Sequence, residues 1–256
     1  MIIATYLVKD DSDILRDSIE FHLNNGVDAL IVTENNSSLE TMHILDSFKQ
    51  YIIARINEPA IDYNQGKWVT RMARVAALQS PDWIFHCDAD ELWHGLNVLN
   101  DYDTYAIHTQ CWRNYLPYST DEFEINKAVF YEQPIEESWF GRGMQAKRKV
   151  IHKPDPEIEI HQGNHLIIGC GELPSCPITI HHYPIRTYEQ FEQKAIVGGK
   201  AYEKSDLPEW MGNQWRKWYQ EYKEGKLFKT YESFLATPNN IKEALQDGKI
   251  MGPMYV

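Results

Sequence analysis

The sequence predicts an α/β protein: an open, mostly parallel sheet with helices on both faces and a helical C-terminal tail. Three observations predict it. Four short runs, Ile2–Val8, Val27–Val32, Tyr51–Ile56 and Trp83–Cys87, are strand-length and largely apolar, and the segments between them carry helical periodicity. Strands apolar on both faces belong in a parallel sheet covered on both sides. Right-handed crossovers between such strands wind the sheet in both directions.

The elements follow in order. Asp11-Ser12-Asp13 is placed to cap a helix whose apolar positions are Ile14, Leu15, Ile19 and Leu23, and Asn24-Asn25-Gly26 ends it, because glycine tolerates the left-handed C′ conformation. The polar stretch 34–38 leads into a helix carrying Met42, Leu45 and Phe48. Residues 68–78 repeat Trp68, Met72, Val75 and Ala76 along one helical stripe. From about 101 to 176 the chain is less periodic and rich in aromatics, Pro and Gly, which predicts short strands and long loops. Residues 178–182 read as another strand. Thr187 with Gln190 makes a capping box for a helix reaching about Tyr202, weakened at Gly198-Gly199. Trp210, Trp215, Trp218 and Tyr222 mark a tail helix, and Thr237-Pro238 opens a last one.

Composition sets bounds. The 256 residues carry 37 Asp+Glu against 25 Lys+Arg, a formal charge of −12, and 43% are hydrophobic. Such a chain can bury a sizeable core. Its acidity argues against a nucleic-acid partner, which needs clustered Lys and Arg. No apolar run approaches the ~18 residues of a membrane span. The first residues lack a basic n-region and a small-residue cleavage site, so a cytoplasmic location is expected. Cys87, Cys111, Cys170 and Cys176 form no C-x-x-C pair and are expected as free thiols. The basic trio Lys147-Arg148-Lys149 reads as a solvated loop.

The chemistry concentrates where the fourth strand ends. Trp83-Ile84-Phe85-His86-Cys87 runs straight into Asp88-Ala89-Asp90-Glu91, three carboxylates within four residues. Ligands of open α/β sheets bind beyond the carboxyl ends of the strands. Two carboxylates two positions apart on extended chain project to one side. Mg²⁺ or Mn²⁺ would relieve their repulsion and fill its shell with phosphate oxygens and water. The alternative is a solvated acidic turn.

With these residues in place, the chain resembles a GT-A fold glycosyltransferase of the family-2-like group with a D-x-D motif. The resemblance rests on Thr5–Asp11, Glu20–Asp28, Thr33–Ser38, Lys67–Arg74, Asp88–Glu91, Gly163–His165 and His182–Phe191, in this order and spacing. It implies a GT-A-like fold. It also implies inverting sugar transfer from a nucleotide-diphosphate donor, UDP favoured, with Mn²⁺ or Mg²⁺ bridging D-x-D and diphosphate. The acceptor would be a glycan, a lipid-linked sugar or a protein. Residues 1–100 would bind the nucleotide-sugar, 101–205 would face the acceptor, and 206–256 would form a helical extension.

The same resemblance assigns roles. Of Asp88 and Asp90, one would touch donor ribose or sugar and the other the metal. Glu34 would meet the base or ribose. The family's following Asp is replaced by Leu39, which removes a carboxylate from that loop. Arg71 would meet donor phosphate. Adjacent strand residues face opposite ways, so only one of His181 and His182 can face a cation; the alignment picks His182 as a metal ligand. Arg186 and Lys194 are candidates for phosphate at a helix N-terminus. For the general base that deprotonates the acceptor, Glu172, His165 and Glu91 are candidates. Trp93, Trp112, Trp139 and Trp210 are large enough to stack on sugars, though packing is the default explanation for each. A sugar nucleotidyltransferase and a non-catalytic carbohydrate-binding protein are the competing readings. The former would carry a glycine-rich basic loop after the first strand, where this chain has Lys9-Asp10-Asp11-Ser12-Asp13.

Overall fold

The computed structural model describes residues 1–61, 64–130, 148–205, 212–239 and 242. In chain order the elements are β1 (Ile2–Val8), α1 (Leu15–Asn24), β2 (Ala29–Glu34), α2 (Leu39–Ser47), β3 (Ile52–Asn57), α3 (Gln65–Ala77), β4 (Trp83–Asp88), β5 (Glu91–His94), β6 (Ala106–Leu116), β7 (Val129–Phe130), β8 (Val150–His152), β9 (Ser175–His182), α4 (Tyr188–Lys204), α5 (Asn213–Lys223) and α6 (Leu227–Glu232). The chain divides into two compact units. The first comprises Met1–Ala60, Asn64–Trp112 and Lys147–His182; the second draws mainly on the described residues of Arg113–Ala146 and Tyr183–Val256.

The sheet order is β3-β2-β1-β4-β8-β6-β9-β5, with β7 paired to β6. The first four of these strands are parallel. β8 joins β4 antiparallel, and β5 pairs β9 antiparallel. The sheet is therefore mixed, with the expected parallel arrangement confined to residues 2–88. Helices cover both faces, as expected. Ala4, Tyr6 and Val8 of β1 pack with Leu15 and Ile19 of α1 and Leu45 of α2. Ile3 packs on the other face with Val69, Met72 and Ala76 of α3. The period-two alternation of a strand produces this division.

Several local expectations are met and several are corrected. Gly26 sits at φ 96°, and Asn25 and Val27 both donate to the His22 carbonyl, closing α1 as a glycine C′ should. The N-cap position of α1 is Ile14, which offers no capping side chain, and a turn whose Asp11 carbonyl accepts from Ile14 and Leu15 precedes the helix. α3 begins at Gln65, three residues before the expected Trp68. Cys87, Cys170 and Cys176 are free thiols. No helix among the described residues is long and apolar enough to cross a membrane.

In the second unit, Thr187 caps α4 by accepting from the Gln190 N–H, while the Gln190 side chain reaches back to the Arg186 N–H. Gly198 and Gly199 have a packing reason. A Cβ at Gly198 would lie 2.4 Å from the Trp215 ring, and one at Gly199 would lie 2.2 Å from Tyr219 Cβ. The two glycines let α5 approach α4 closely. α6 was not foreseen. Trp139 and Trp210 lie outside the described residues, and the last expected helix opens at Pro238 and leaves them after Asn239.

The first unit buries neutral histidines. His22 Nδ1 donates to the Ser18 carbonyl at 2.8 Å, and its Nε2 accepts from the Trp93 N–H at 3.0 Å, tying α1 to β5. His152 Nδ1 donates to the Lys153 carbonyl at 2.7 Å. Its Nε2 therefore accepts from His86 Nε2 at 3.0 Å, and His86 Nδ1 accepts from the Thr5 hydroxyl at 2.8 Å. Burial pulls both His22 and His152 down to about 4.

Two outcomes follow from this packing. Between pH 6.5 and about 4 the unfolded chain binds protons at His22 and His152 that the native state refuses, so stability falls as pH falls. Each histidine contributes a loss of about 2 kcal/mol between pH 7 and pH 5; NMR titration of the two rings should find them neutral down to about pH 5, and protonation near pH 6.5 would contradict the buried neutral rings. Gly199→Ala gains about 1 kcal/mol of helix propensity, yet the crowding at Tyr219 should make it a net loss of about 1–3 kcal/mol in thermal unfolding.

Candidate active site

The register places the acidic cluster. β1 aligns Val8 with Glu34 and Leu7 with Asp88, so both carboxylates stand at the carboxyl edge of the parallel strands, one on each side of β1. Two inter-strand spacings put them about 10 Å apart. Asp88 closes β4, residues 89–90 turn, and Glu91 opens β5. β5 pairs Glu91 with His182 of β9, which brings a residue ninety positions away to the acidic turn.

Asp88 has both oxygens engaged. Oδ2 lies 2.6 Å from Lys149 Nζ, and Oδ1 accepts from Gln65 Nε2 at 3.0 Å. Glu91 is fully buried. Its Oε1 lies 2.6 Å from the same Lys149 Nζ, and its Oε2 accepts from Trp93 Nε1 at 3.2 Å and the Asp88 N–H at 3.3 Å. Asp90 Oδ1 stands 3.6 Å from His182 Nε2. His181, on the opposite side of β9, has its ring against His94 at 6.0 Å. The indole of Trp112 stacks on His182 with centroids 4.5 Å apart and planes within 8°. Trp112 also meets the His165 ring edge-on at 5.9 Å and carries Lys149 Nζ 5.5 Å from its centroid.

Lys149 is the main correction to the sequence reading. It is not solvated: its side chain is 0% exposed. β8 pairs with β4 through Phe85 and Ile151, and extending that register sets Lys149 opposite Cys87, beside Asp88. Thr109 pins it further, since its hydroxyl accepts from the Lys149 N–H and its own N–H donates to the Lys149 carbonyl. Burial pulls the Lys149 ammonium down, but the Asp88 and Glu91 carboxylates outweigh burial and hold it above the ordinary lysine range. Burial pushes the Glu91 carboxyl up, with Lys149 opposing the shift.

The other candidates divide. Glu34 is paired with Arg55 at 3.4 Å, and Arg71 with Glu58 at 2.9 Å rather than standing open for phosphate. His165 Nδ1 donates to the Arg148 carbonyl at 2.9 Å, and its ring covers Gly163, whose added Cβ would meet His165 Nε2 at 2.8 Å. Asn164 between them is buried at φ 63°, with neither amide atom hydrogen-bonded. Glu172 is exposed on the loop before β9, and no hydrogen bond or ion pair recorded among the described residues ties it to the cluster. Arg186 and Lys194 belong to the second unit. Arg186 is fully buried and donates to the Tyr183 carbonyl at 2.9 Å; Lys194 donates to the Pro184 carbonyl at 3.0 Å. Gln65 and Lys149 are the participants that sequence reasoning missed.

The donor set admits a divalent cation in part. Among the described residues no group of three or more His, Cys, Asp or Glu side chains is arranged to hold a metal. The Asp90–His182 separation of 3.6 Å is long for a hydrogen bond. Two ligands about 2.1 Å from one ion stand roughly 3–3.5 Å apart, so the pair would have to close slightly to share one. Asp88 and Glu91 share the Lys149 ammonium, and Asp90 stands beside His182.

No family model matches the chain, and no curated protein sequence does. Solved structures with partial likeness include S. aureus TarS 1–349 in complex with UDP, at 10% identity and TM-score 0.42, covering 82% of this chain and 68% of that one. HddC from Yersinia pseudotuberculosis shares 11% identity at TM-score 0.36, over 73% of this chain and 91% of its own. A putative glucose-1-phosphate thymidylyltransferase from Bacillus anthracis, in complex with a sucrose, shares 7% at TM-score 0.40, over 84% and 99%. Likeness at these values carries no activity across to this chain.

Removing Lys149 leaves two buried or half-buried carboxylates without their counter-charge. Lys149→Met should therefore cost about 3–5 kcal/mol in urea denaturation, and Glu91→Gln added to it should recover part of the loss. A loss under about 1 kcal/mol would show that the ammonium is not the partner of these carboxylates.

Proposed function

We propose that the protein is a metal-dependent glycosyltransferase that moves a sugar from a nucleotide-diphosphate donor to an acceptor hydroxyl with inversion. The observation that carries the reading is the meeting of Asp90 and His182, 3.6 Å apart, at the carboxyl end of the parallel strands. The D-x-D resemblance supports it, and supplies UDP as the favoured nucleotide. Asp90 and His182 would hold Mn²⁺ or Mg²⁺. When bound, that ion neutralises the donor diphosphate and stabilises it as a leaving group.

The chain's own residues do the rest. Glu34, on the far side of β1 from Asp88, is placed for the nucleoside end of a donor lying along the strand edge. Of the three candidate bases, Glu91 has no exposure and is held by Lys149, so it cannot reach an acceptor. Glu172 lies apart. His165 shares the Trp112 contact with His182 and is the base we assign. Its Nδ1–H bond to the Arg148 carbonyl makes Nε2 the accepting nitrogen. The acceptor oxygen bonds to the anomeric carbon, and the bond from that carbon to the diphosphate oxygen breaks. The electron pair leaves with the nucleoside diphosphate, and the hydroxyl proton passes to His165.

A thermal-shift series of nucleoside diphosphates with Mn²⁺ tests the reading, since a ligand of the native state alone raises its stability. One nucleotide should raise the melting temperature only when Mn²⁺ is present, and Asp90→Asn or His182→Asn should abolish that rise. With a sugar donor and acceptor, the released product should be the nucleoside diphosphate. Pyrophosphate release would mean nucleotidyl transfer instead, and no shift with any nucleotide would remove the enzyme reading.

A further inference from the structure

We propose that Asn164 is an acceptor-binding residue, and that the hydroxyl receiving the sugar belongs to a saccharide with a second hydroxyl beside it. The inference rests on the reading above, in which His165 takes the acceptor proton, and it names the acceptor class that reading leaves open. Its observation is separate from the acidic turn: a buried carboxamide, next to His165 in the chain, with neither polar atom hydrogen-bonded.

Residues 160–167 form a hairpin fastened to α3. Ile160 and Ile167 pair as an antiparallel bridge, the His161 N–H donates to the Leu166 carbonyl at 2.9 Å, and the Asn164 N–H donates to the His161 carbonyl at 3.1 Å. At the start of α3, the Gly66 N–H donates to Gln162 Oε1 at 2.9 Å. Gln65 Oε1 accepts from the Gly163 N–H at 3.1 Å, and the same side chain donates to Asp88. Within this frame Asn164 sits at φ 63°, directly after Gly163 at φ 82°. Glycine adopts such a conformation without steric penalty, and asparagine is favoured there when its side chain bonds the neighbouring backbone. Asn164 is 1% exposed and makes no such bond: Oδ1 and Nδ2 both lack a partner among the described residues. The position combines a left-handed side chain with an unpaired buried amide, two penalties that glycine would avoid. Outliers of this kind gather at ligand sites, where the surrounding structure holds them in place.

The chemistry of the group selects its partner. A carboxamide offers one acceptor and two donors in a single plane. Two neighbouring hydroxyls, each able to donate and to accept, match it. Phosphate and ionised carboxylate only accept, and would leave Oδ1 unmet. Trp112, whose ring meets His165 edge-on, adds another buried N–H without a partner, its Nε1. Both amide atoms of Asn164 are covered, so the saccharide meets them after the side chain turns about its Cα–Cβ bond. That movement breaks no hydrogen bond of the side chain, because it makes none. With His165 on the reacting hydroxyl, the residue before it takes the neighbouring one.

NMR of the Asn164 side-chain amide, assigned by its loss in Asn164→Gly, reads binding without turnover. The probes are methyl glycosides of the hexoses and N-acetylhexosamines, each added with and without UDP and Mn²⁺, with a simple alcohol and inorganic phosphate as controls. At least one glycoside should shift the amide saturably, and neither control should. The matching deoxy glycoside, lacking the neighbouring hydroxyl, should bind about tenfold or more weakly, because the amide is then left unpaired. Asn164→Gly should weaken glycoside binding by a similar factor yet keep or raise the melting temperature, whereas loss of a residue that serves the fold alone would lower it. An amide that no glycoside moves, a deoxy glycoside that binds as well, or a melting temperature of Asn164→Gly more than about 5 °C below wild type overturns the inference. The Mn²⁺-dependent nucleotide shift, which Asn164→Gly should leave intact, decides the transfer reading separately. That shift without glycoside binding ends this inference alone; no shift with any nucleotide ends the transfer reading and with it the acceptor role, even where glycosides bind.

Discussion

The ammonium of Lys149, wedged between Asp88 and Glu91 on a fully buried side chain, is the constraint on which the site depends. Three carboxylates gathered at the end of a buried strand would repel one another and stay hydrated. One fixed positive charge lets two of them be drawn inward, and the second of these, Glu91, then ties β4 to β5 through the Asp88 N–H and the Trp93 indole. Removal of either partner from such a pair exposes the desolvation cost of the other, so the cluster and the local fold stand or fall together.

Around that pair the scaffold is rigid by hydrogen bonding. His22 links α1 to β5, and the Thr5–His86–His152 chain links β1, β4 and β8 beneath the site. Each ring is neutral because its two nitrogens have one donating and one accepting role to fill, and burial enforces it. The acidic turn therefore hangs from strands whose spacing is fixed on both sides. Trp112 adds the last restraint by holding the His182 ring flat against its own. Such support holds the side chains of the turn in one arrangement.

Much of the parallel half was legible because its signals are local. Apolar runs and Gly26 lie within a few residues of the elements they define. That only one of His181 and His182 can face the acidic turn was legible too, since strand alternation needs only one residue of register; the resemblance picked His182, and it is His182 that stands beside Asp90. Lys149 was not, because a basic trio beside a loop is usually solvated, and its partners lie sixty residues away on β4. The one available hint was that Val150-Ile151 directly after it is apolar on both faces, so the lysine enters a buried strand. Gly198-Gly199 was misread for the same reason: helix propensity is local, while the aromatic rings that require bare glycine come from α5. The antiparallel strands β8 and β9 owe their places to pairings far apart in sequence, which periodicity cannot reveal.

Pulsed EPR of Mn²⁺ bound to the protein tests the arrangement most directly, because it detects nitrogen nuclei coupled to the ion. Coupling to a single imidazole nitrogen, absent in His182→Asn and retained in Asp88→Asn, is the expected result. Bound Mn²⁺ with no nitrogen coupling, or with coupling that survives the loss of His182, would contradict the placement of the cation between Asp90 and His182.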